Sequence, residues 1–549
     1  MATFPRVPLS ATQPKAVRPR PRRLVLHEGL VTSTPQAQEL ATGPQRVPGT
    51  PVVGVPVFTP DQVRAAEEPL LRVQGLELMK AAAFAFAVEC AEVLARRRPT
   101  GVSGARVVVL CGPGNNGGDG LFAASELARR GAHITVLAST DMHAEGTAAL
   151  AARRQLRVTE DPAVVDGADL VIDALLGIGG RGGLRAPWDT WAHAVAEARA
   201  AGTAVVAVDV PSGASPVGED LHDGSCIEAD VTVTFGGLKP VHVLQPAVCG
   251  EVVLCGVGID TQLAAQELHS PAGPEMWLVT GGVWPVPGNR DHKYSLGTVA
   301  LHAGSARYPG AGVLAAAGAV RATSSMVRIA GDAAASVIER FPSVVAASGR
   351  SDARVIGPGR GTESAAAEEL HAALESPEPL VVDADAVTLL AHDESLRQGL
   401  RQRSARGEFT VLTPHEGEYL RLAAACELVP PDARRESVFA RRVDAVQSLA
   451  RELGCVVLLK GRVTIVSEGH APAYVITAPT SWAATPGSGD VLSGVVGALL
   501  AASPQAAAVA LAAYAHAQAT ADVHAPIDAL HLAEHLTPAI ARIIADTQR

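Results

Sequence analysis

The chain has 549 residues, 48% of them apolar, and carries 56 acidic against 46 basic residues for a formal net charge of −10. That length exceeds what one hydrophobic core organises, so two or more domains are expected, and the acidic balance argues against a nucleic-acid surface, which needs clustered Lys and Arg. Seven scattered cysteines without a CxxC pair exclude a disulfide framework or zinc ribbon as the default, no apolar run reaches membrane-spanning length, and a cytoplasmic setting follows.

Residues 1–50 are rich in Pro, Arg, Thr and Gln and lack periodicity, and are read as a disordered leader. Leu24-Val25-Leu26 is too short for the apolar core of a signal peptide. Thr59-Pro60-Asp61-Gln62 predicts a helix start, with apolar positions at helical spacing to Leu94. Strands are then predicted over 106–110, 133–137, 170–174, 204–208 and 231–235, alternating with helices. Residues 261–289 lose this rhythm among Pro271, Pro274, Pro285 and Pro287, which places a domain boundary there. A second series of strands follows at 298–302, 355–356, 380–382, 410–412, 456–459, 464–466 and 473–476, before Ala-rich helices close the chain. The expectation is an α/β protein of two doubly wound domains, over 51–265 and 275–549.

The first domain's sharpest feature is Cys111-Gly112-Pro113-Gly114-Asn115-Asn116-Gly117-Gly118-Asp119-Gly120, between a strand and a helix. Gly112, Gly114 and Gly117 fit a dinucleotide fingerprint, with Asp141 near the spacing of the ribose acid, but a plain pyrophosphate turn needs neither the two amides nor Asp119. Two further turns fall at strand C-termini: Asp173 to Gly183, and Asp209-Val210-Pro211-Ser212-Gly213. Asn116, Asp173 and Ser212 would offer only oxygens, and one carboxylate among neutral oxygens suits a monovalent cation better than zinc.

GPGNNGGDG, VIDALLGIGGRGG, VAVDVPSG and ADVTVTFGGLKP resemble the epimerase domain of the NAD(P)H-hydrate repair enzymes, the YjeF N-terminal family. The resemblance covers residues 58–260 and implies a Rossmann-like three-layer domain. It implies binding of a hydrated nicotinamide dinucleotide (NADHX or NADPHX) by Asn115, Asn116, Gly117, Gly118, Asp119, Gly177, Ile178, Gly179, Gly180, Arg181, Gly182, Gly183 and Asp209. It also implies a potassium site at Asn116, Asp173 and Ser212, Asp173 as the acid/base that interconverts the two epimers, and an unassigned role for Lys239.

In the second half, Thr485-Pro486-Gly487-Ser488-Gly489-Asp490 runs straight into an apolar helical stretch. Such a turn leaves unpaired N–H groups at a helix N-terminus, where an anion is favoured, and glycines let a phosphate approach the backbone. Asp490 would take a proton from an attacking hydroxyl while the N–H groups of Gly487 to Gly489 hold the developing charge. Asp383 and Asp385 carry two readings, a magnesium pair or a strand end followed by a helix cap.

With Asp291-His292-Lys293, Ile356-Gly357-Pro358-Gly359, Asp383-Ala384-Asp385-Ala386, Thr413 to Glu418, Leu459-Lys460-Gly461 and Gly487 to Asp490, residues 275–545 resemble the ADP-dependent NAD(P)H-hydrate dehydratases of the ribokinase-like superfamily. By that resemblance Gly359, His415 and Asp490 contact the hydrate, while Lys460, Gly461, Arg462, Val463, Thr464 and Gly489 hold the nucleotide. ADP would be co-substrate, brought with magnesium, and the S epimer would be dehydrated to NAD(P)H with release of AMP and phosphate. A homo-oligomer without nucleic-acid or membrane partners is expected. The alternative is a ribokinase-like small-molecule kinase with an N-terminal nucleotide-binding domain.

Overall fold

A computed structural model describes residues 23–27, 30–32, 40–139, 141–219, 225–269, 273–347, 349–470 and 472–547. Two sheets organise them, of nine and eleven strands. The first sheet runs in the order Leu30–Thr32, Arg23–His27, Glu251–Cys255, Val231–Phe235, Ala204–Val208, Leu170–Ala174, Arg106–Cys111, His133–Leu137 and Val158–Thr159. All its pairings are parallel except those of the two leading strands.

Continuous β-branched runs form these strands because both faces are covered. Val107, Val109 and Cys111 enter a core with Phe86, Leu121 and Leu127. Val108 and Leu110 enter the opposite core with Trp191 and Val195. This is the expected three-layer arrangement. The Pro60–Arg97 helix starts where predicted, with Thr59 and Gln62 forming a reciprocal capping box. It is not one straight rod: Gln74 breaks helical geometry and Pro69 lies inside it.

The second sheet runs Val327–Ala330, Val299–His302, Ala353–Ile356, Leu380–Val382, Thr410–Leu412, Val456–Leu459, Val463–Ser467, Ala473–Thr477, Met276–Gly282, Val52–Val57 and Gln45–Arg46. The first six are parallel and the Val463–Ser467 hairpin then reverses direction. Helices Pro309–Ala322 and Ser488–Ala502 lie against one another on one face. Their backbones nearly touch, since a Cβ on Gly318 would sit 2.0 Å from the Val491 carbonyl and one on Gly494 2.0 Å from that of Ala315.

Three expectations are corrected. The leader is not disordered throughout: Arg23–His27 pairs antiparallel with Glu251–Cys255, and residues 40–50 are ordered and include Gln45–Arg46. Residues 1–22, 28–29 and 33–39 lie outside the described residues. Segment 261–289 keeps regular structure where loss of rhythm was expected: it contains most of the helix Ile259–His269 and the strand Met276–Gly282, and the change from first to second sheet falls between them. Finally, Val52–Val57 does not join the first domain, as drawn at residue 51, but pairs antiparallel with Met276–Gly282 in the second sheet. Val55, Val57, Met276 and Leu278 share one apolar cluster with Leu238, Val241 and Leu254 of the first domain, so the halves bury a common seam.

A fragment starting at residue 270 leaves Met276–Gly282 as a bare sheet edge. It is expected to melt at a lower temperature alone than with an added peptide of residues 45–58, as followed by circular dichroism. A peptide without effect would show that edge pairing contributes nothing to the second domain.

Candidate active sites

In the first sheet the chain order reverses between Arg106–Cys111 and Leu170–Ala174, the place where open α/β sheets leave a crevice. The two loops that leave these strands are in backbone contact, since a Cβ on Gly112 would lie 2.0 Å from the Leu175 carbonyl. Above them opens a cavity of about 840 Å³, lined by Asn115, Asn116, Asp119, Gly177 to Gly180 and Asp209 from the predicted set. Its other wall was not anticipated. Arg64, Glu67, Leu71 and Met79 of the first helix line it, and Arg64 Nη2 donates to the Ile178 carbonyl at 2.7 Å. The apolar spacing of that helix predicted only a core face, whereas its cavity-facing polar residues depend on where it packs.

Asp209 is the centre of a charged knot. Its backbone has φ +66°, a left-handed conformation uncommon for a residue with a side chain. Oδ1 accepts from Lys239 Nζ at 2.6 Å and from Thr234 Oγ1 at 2.9 Å. Burial alone would raise its pKa, but the Lys239 charge and hydrogen bond outweigh burial and hold the carboxyl below its usual range. His242 Nδ1 accepts from the Lys239 N–H at 3.0 Å, so Nε2 carries the proton donated to the Asp209 carbonyl at 2.8 Å. Burial and Lys239 push that imidazole down to about 4. Lys239, left unassigned by the sequence, is therefore the partner that keeps Asp209 ionised. Burial raises the Glu67 carboxyl to about 6.

Asp173 does not line the cavity. It is 0% exposed and sits beneath the loops, where Oδ1 accepts from Ser212 Oγ at 2.5 Å and Oδ2 from the Ser212 N–H at 2.7 Å. Burial raises it to about 6 against those bonds. The structure thus places Asp173 beneath the cavity and not on its wall, where an acid/base for the ring would stand. Asn116 joins the same cluster, Nδ2 donating to the Leu176 and Val208 carbonyls at 2.8 and 2.9 Å. Gly117 and Gly118 also lie off the cavity wall, because a Cβ on them would strike the Gly112 carbonyl and the Met79 sulfur. Arg181, Gly182 and Gly183 fall outside the lining, and Asp141 is an exposed residue away from it.

The second cavity, of about 500 Å³, opens at the C-terminal ends of Leu380–Val382, Thr410–Leu412 and Val456–Leu459. It brings together His415, Lys460, Gly461, Arg462, Thr464, Gly487, Ser488, Gly489 and Asp490. Gly487, at φ +88°, caps the Ser488–Ala502 helix; the Ser488 N–H donates to the Thr485 carbonyl at 3.2 Å, which leaves the N–H groups of Gly489 and Asp490 to meet a ligand. Lys460 Nζ lies 2.7 Å from Asp383 Oδ1 and 3.9 Å from Glu418 Oε2. Asp383 Oδ2 accepts from Ser493 Oγ at 2.6 Å, which ties the strand end to the helix that carries Asp490. Burial, then the neighbouring Asp383, push the Asp490 carboxyl up to about 7, with Lys460 opposing.

Neither reading of the Asp383–Asp385 pair holds in full. Asp383 follows its strand as expected, but Asp385 Oδ2 accepts from the Gly361 N–H at 2.7 Å, and Ala384 occupies the cap position. Among the described residues no group of three or more His, Cys, Asp or Glu could hold a metal ion. Gly359 is not on the cavity wall; it packs under Tyr308 and Ala311. Val463 points into the core, and Glu418 and His516, which line the cavity, were not foreseen. The sequence signal for Glu418 was there, three residues past His415, whose Nδ1 accepts from the Gly417 N–H while Glu418 accepts from the His415 N–H.

A family model described as YjeF-related protein N-terminus matches residues 75–241, and one described as NAD(P)H-hydrate dehydratase matches residues 299–542. The bifunctional NAD(P)H-hydrate repair enzyme Nnr of Mycobacterium tuberculosis is 45% identical over 451 residues, covering 81% of this chain and 89% of the relative. That of Mycobacterium leprae is 42% identical over 501 residues, covering 88% and 98%. Among solved structures, ADP/ATP-dependent NAD(P)H-hydrate dehydratase from Bacillus subtilis, co-crystallised with ATP and Mg2+, spans 48% of this chain and 95% of that chain at 23% identity and a TM-score of 0.41. The chain belongs to the family of bifunctional NAD(P)H-hydrate repair enzymes, its YjeF-type domain preceding its dehydratase domain.

Proposed function

We propose that this chain repairs hydrated nicotinamide dinucleotides in two steps: the first cavity interconverts the R and S forms of NAD(P)HX, and the second dehydrates the S form at the expense of ADP. The observation that carries the second step is Asp490, in the first turn of a helix whose Gly489 and Asp490 N–H groups are left to a ligand, on the same cavity wall as Lys460. Hydroxide is a poor leaving group. Asp490 would remove the hydroxyl proton as a phosphoryl group transfers to that oxygen, with the Gly489 and Asp490 N–H groups holding the charge. The ring nitrogen then expels phosphate, and loss of a proton from the adjacent ring carbon to solvent restores the carbon–carbon double bond, leaving NAD(P)H, AMP and phosphate. Lys460, Gly461, Arg462 and Thr464 would hold the nucleotide, its magnesium travelling on the phosphates, and His415 would meet the hydrate.

In the first cavity, Asn115, Asp119, the Gly177 to Gly180 loop and Asp209 would hold the dinucleotide. Asn116, Asp173 and Ser212 would hold potassium, whose chemistry is to fix the loops under the substrate. Their donor set fits that ion: Asp173 and Ser212 are bonded to each other, Asn116 meets them through Leu176, and the lack of a side chain at Gly177 keeps the Asn116 Oδ1 side open, where a Cβ would lie 2.6 Å away.

Mixed epimers of NADHX incubated with the protein and ADP should be consumed completely, with phosphate released and near-ultraviolet absorbance regained. A kinase would instead accumulate a stable phosphorylated product. Asp490→Asn should abolish repair of both epimers. Because the base must be ionised, kcat/KM for the S form should fall as pH drops through about 7. Asp383→Asn removes the like charge and frees Lys460 to act on Asp490, so the Asp490 titration should move below about 7 in carboxyl NMR. Replacing potassium by sodium should slow loss of the R form while the S form is still consumed.

A further inference from the structure

Among the described residues, the lining of the first cavity includes one buried side-chain oxygen without a hydrogen-bond partner. Asp119 Oδ1 is buried without a hydrogen-bond partner and its residue lines the cavity. An unpaired buried oxygen of this kind is costly unless a ligand engages it. Asp209 lines the same cavity from a different element, the loop after Ala204–Val208, and its carboxylate is anchored by Lys239 and Thr234. Asp119 stands on the Asn115–Arg129 helix. One carboxyl thus keeps a buried oxygen without a partner among the described residues, and the other is locked to a cation, in one chamber.

We infer that Asp119 is the acid that protonates the departing ring hydroxyl during epimerisation, and that Asp209, held by Lys239, is the base that activates the incoming water. This rests on the epimerase reading above and assigns the acid/base work to carboxyls on the cavity wall, with Asp173 lying beneath the loops. The charges around each carboxyl divide the roles. Asp119 is pushed well above the carboxylate range by burial, then by Asp209 and Glu67. Asp209 is held down by Lys239, with His242 and Thr234 adding to it. Two carboxyls driven apart in this way are suited to opposite proton tasks. Arg64 and Glu67 face the chamber from the first helix.

The step balances without a co-reactant. The Asp119 proton moves to the hydroxyl oxygen as the carbon–oxygen bond breaks, and one water leaves. The lone pair of the ring nitrogen forms a carbon–nitrogen double bond, which makes the carbon planar. A second water adds to the opposite face, and its proton passes to Asp209 as the new carbon–oxygen bond forms and the pair returns to nitrogen. Solvent then carries the proton back to Asp119.

The test is single-turnover epimerisation in water enriched in oxygen-18, without nucleotide. The wild type should incorporate one solvent oxygen at the ring hydroxyl for each inversion, above the enzyme-free rate. Asp119→Asn should lower kcat for interconversion by about 10²- to 10⁴-fold with little change in KM, and Asp119→Glu should recover part of it. Nucleotide-dependent consumption of the S form by the same preparation reports that Asp119→Asn remains folded. Inversion with the original oxygen retained, or an unchanged kcat in Asp119→Asn, would overturn the assignment while leaving epimerase activity standing. Absence of any interconversion in the wild type would overturn the epimerase reading and this assignment together.

Discussion

Asp383 uses both of its oxygens, one on the Lys460 ammonium and one on the Ser493 hydroxyl, and is 1% exposed while doing so. A buried ion pair left partly unsatisfied is a liability; one whose remaining lone pairs are engaged fixes geometry. Here three elements are fastened at one point: the end of Leu380–Val382, the end of Val456–Leu459 and the first turns of Ser488–Ala502. The glycine contacts between that helix and Pro309–Ala322 bring two backbones into van der Waals range, so the helix has little room to slide. Asp490 therefore faces the cavity because the helix below it is pinned from both sides.

The first domain repeats the device with different chemistry. Asp173 ends its strand and holds Ser212 through side chain and backbone alike, and Leu176 in turn donates to the Ser212 hydroxyl at 2.9 Å. In each domain a carboxylate at the C-terminal end of a parallel strand is spent on joining loops. The groups left facing the chamber, Asp119 and Asp209 in one and Asp490 in the other, stand on backbone that these fasteners hold still. Rigid placement of the reacting groups is what electrostatic catalysis requires.

Much of this was legible from residue type and order. Alternating β-branched runs and helical spacings revealed the layered architecture, and the Gly-rich turn ahead of Asp490 announced an anion site. Misreadings arose where direction is decided by tertiary contact. A strand-end Asp looks alike whether it faces a ligand or a serine, so Asp173 was placed in the chamber. Lys239 follows Asp209 by thirty positions, and only the fold brings them into contact. Glu67 and Arg64 belong to a helix whose apolar stripe is readable but whose opposite side meets the loops only after packing. Val52–Val57 sits between prolines and glycines, a composition that hides a strand, and its partner is more than two hundred positions away.

That distant pairing has a consequence for synthesis. A chain emerging from the ribosome presents Val52–Val57 first, but the strand beside it arrives only at Met276–Gly282, and the next neighbour at Ala473–Thr477. The YjeF-type domain can complete its own layers in the interval, while the Val52–Val57 ribbon, paired only with Gln45–Arg46, waits for Met276–Gly282 to be made. Cutting the gene at the apparent junction would orphan that ribbon in one product and strip an edge from the other. The two repair activities are thus interlaced in one polypeptide, and their joint inheritance is written into the backbone itself.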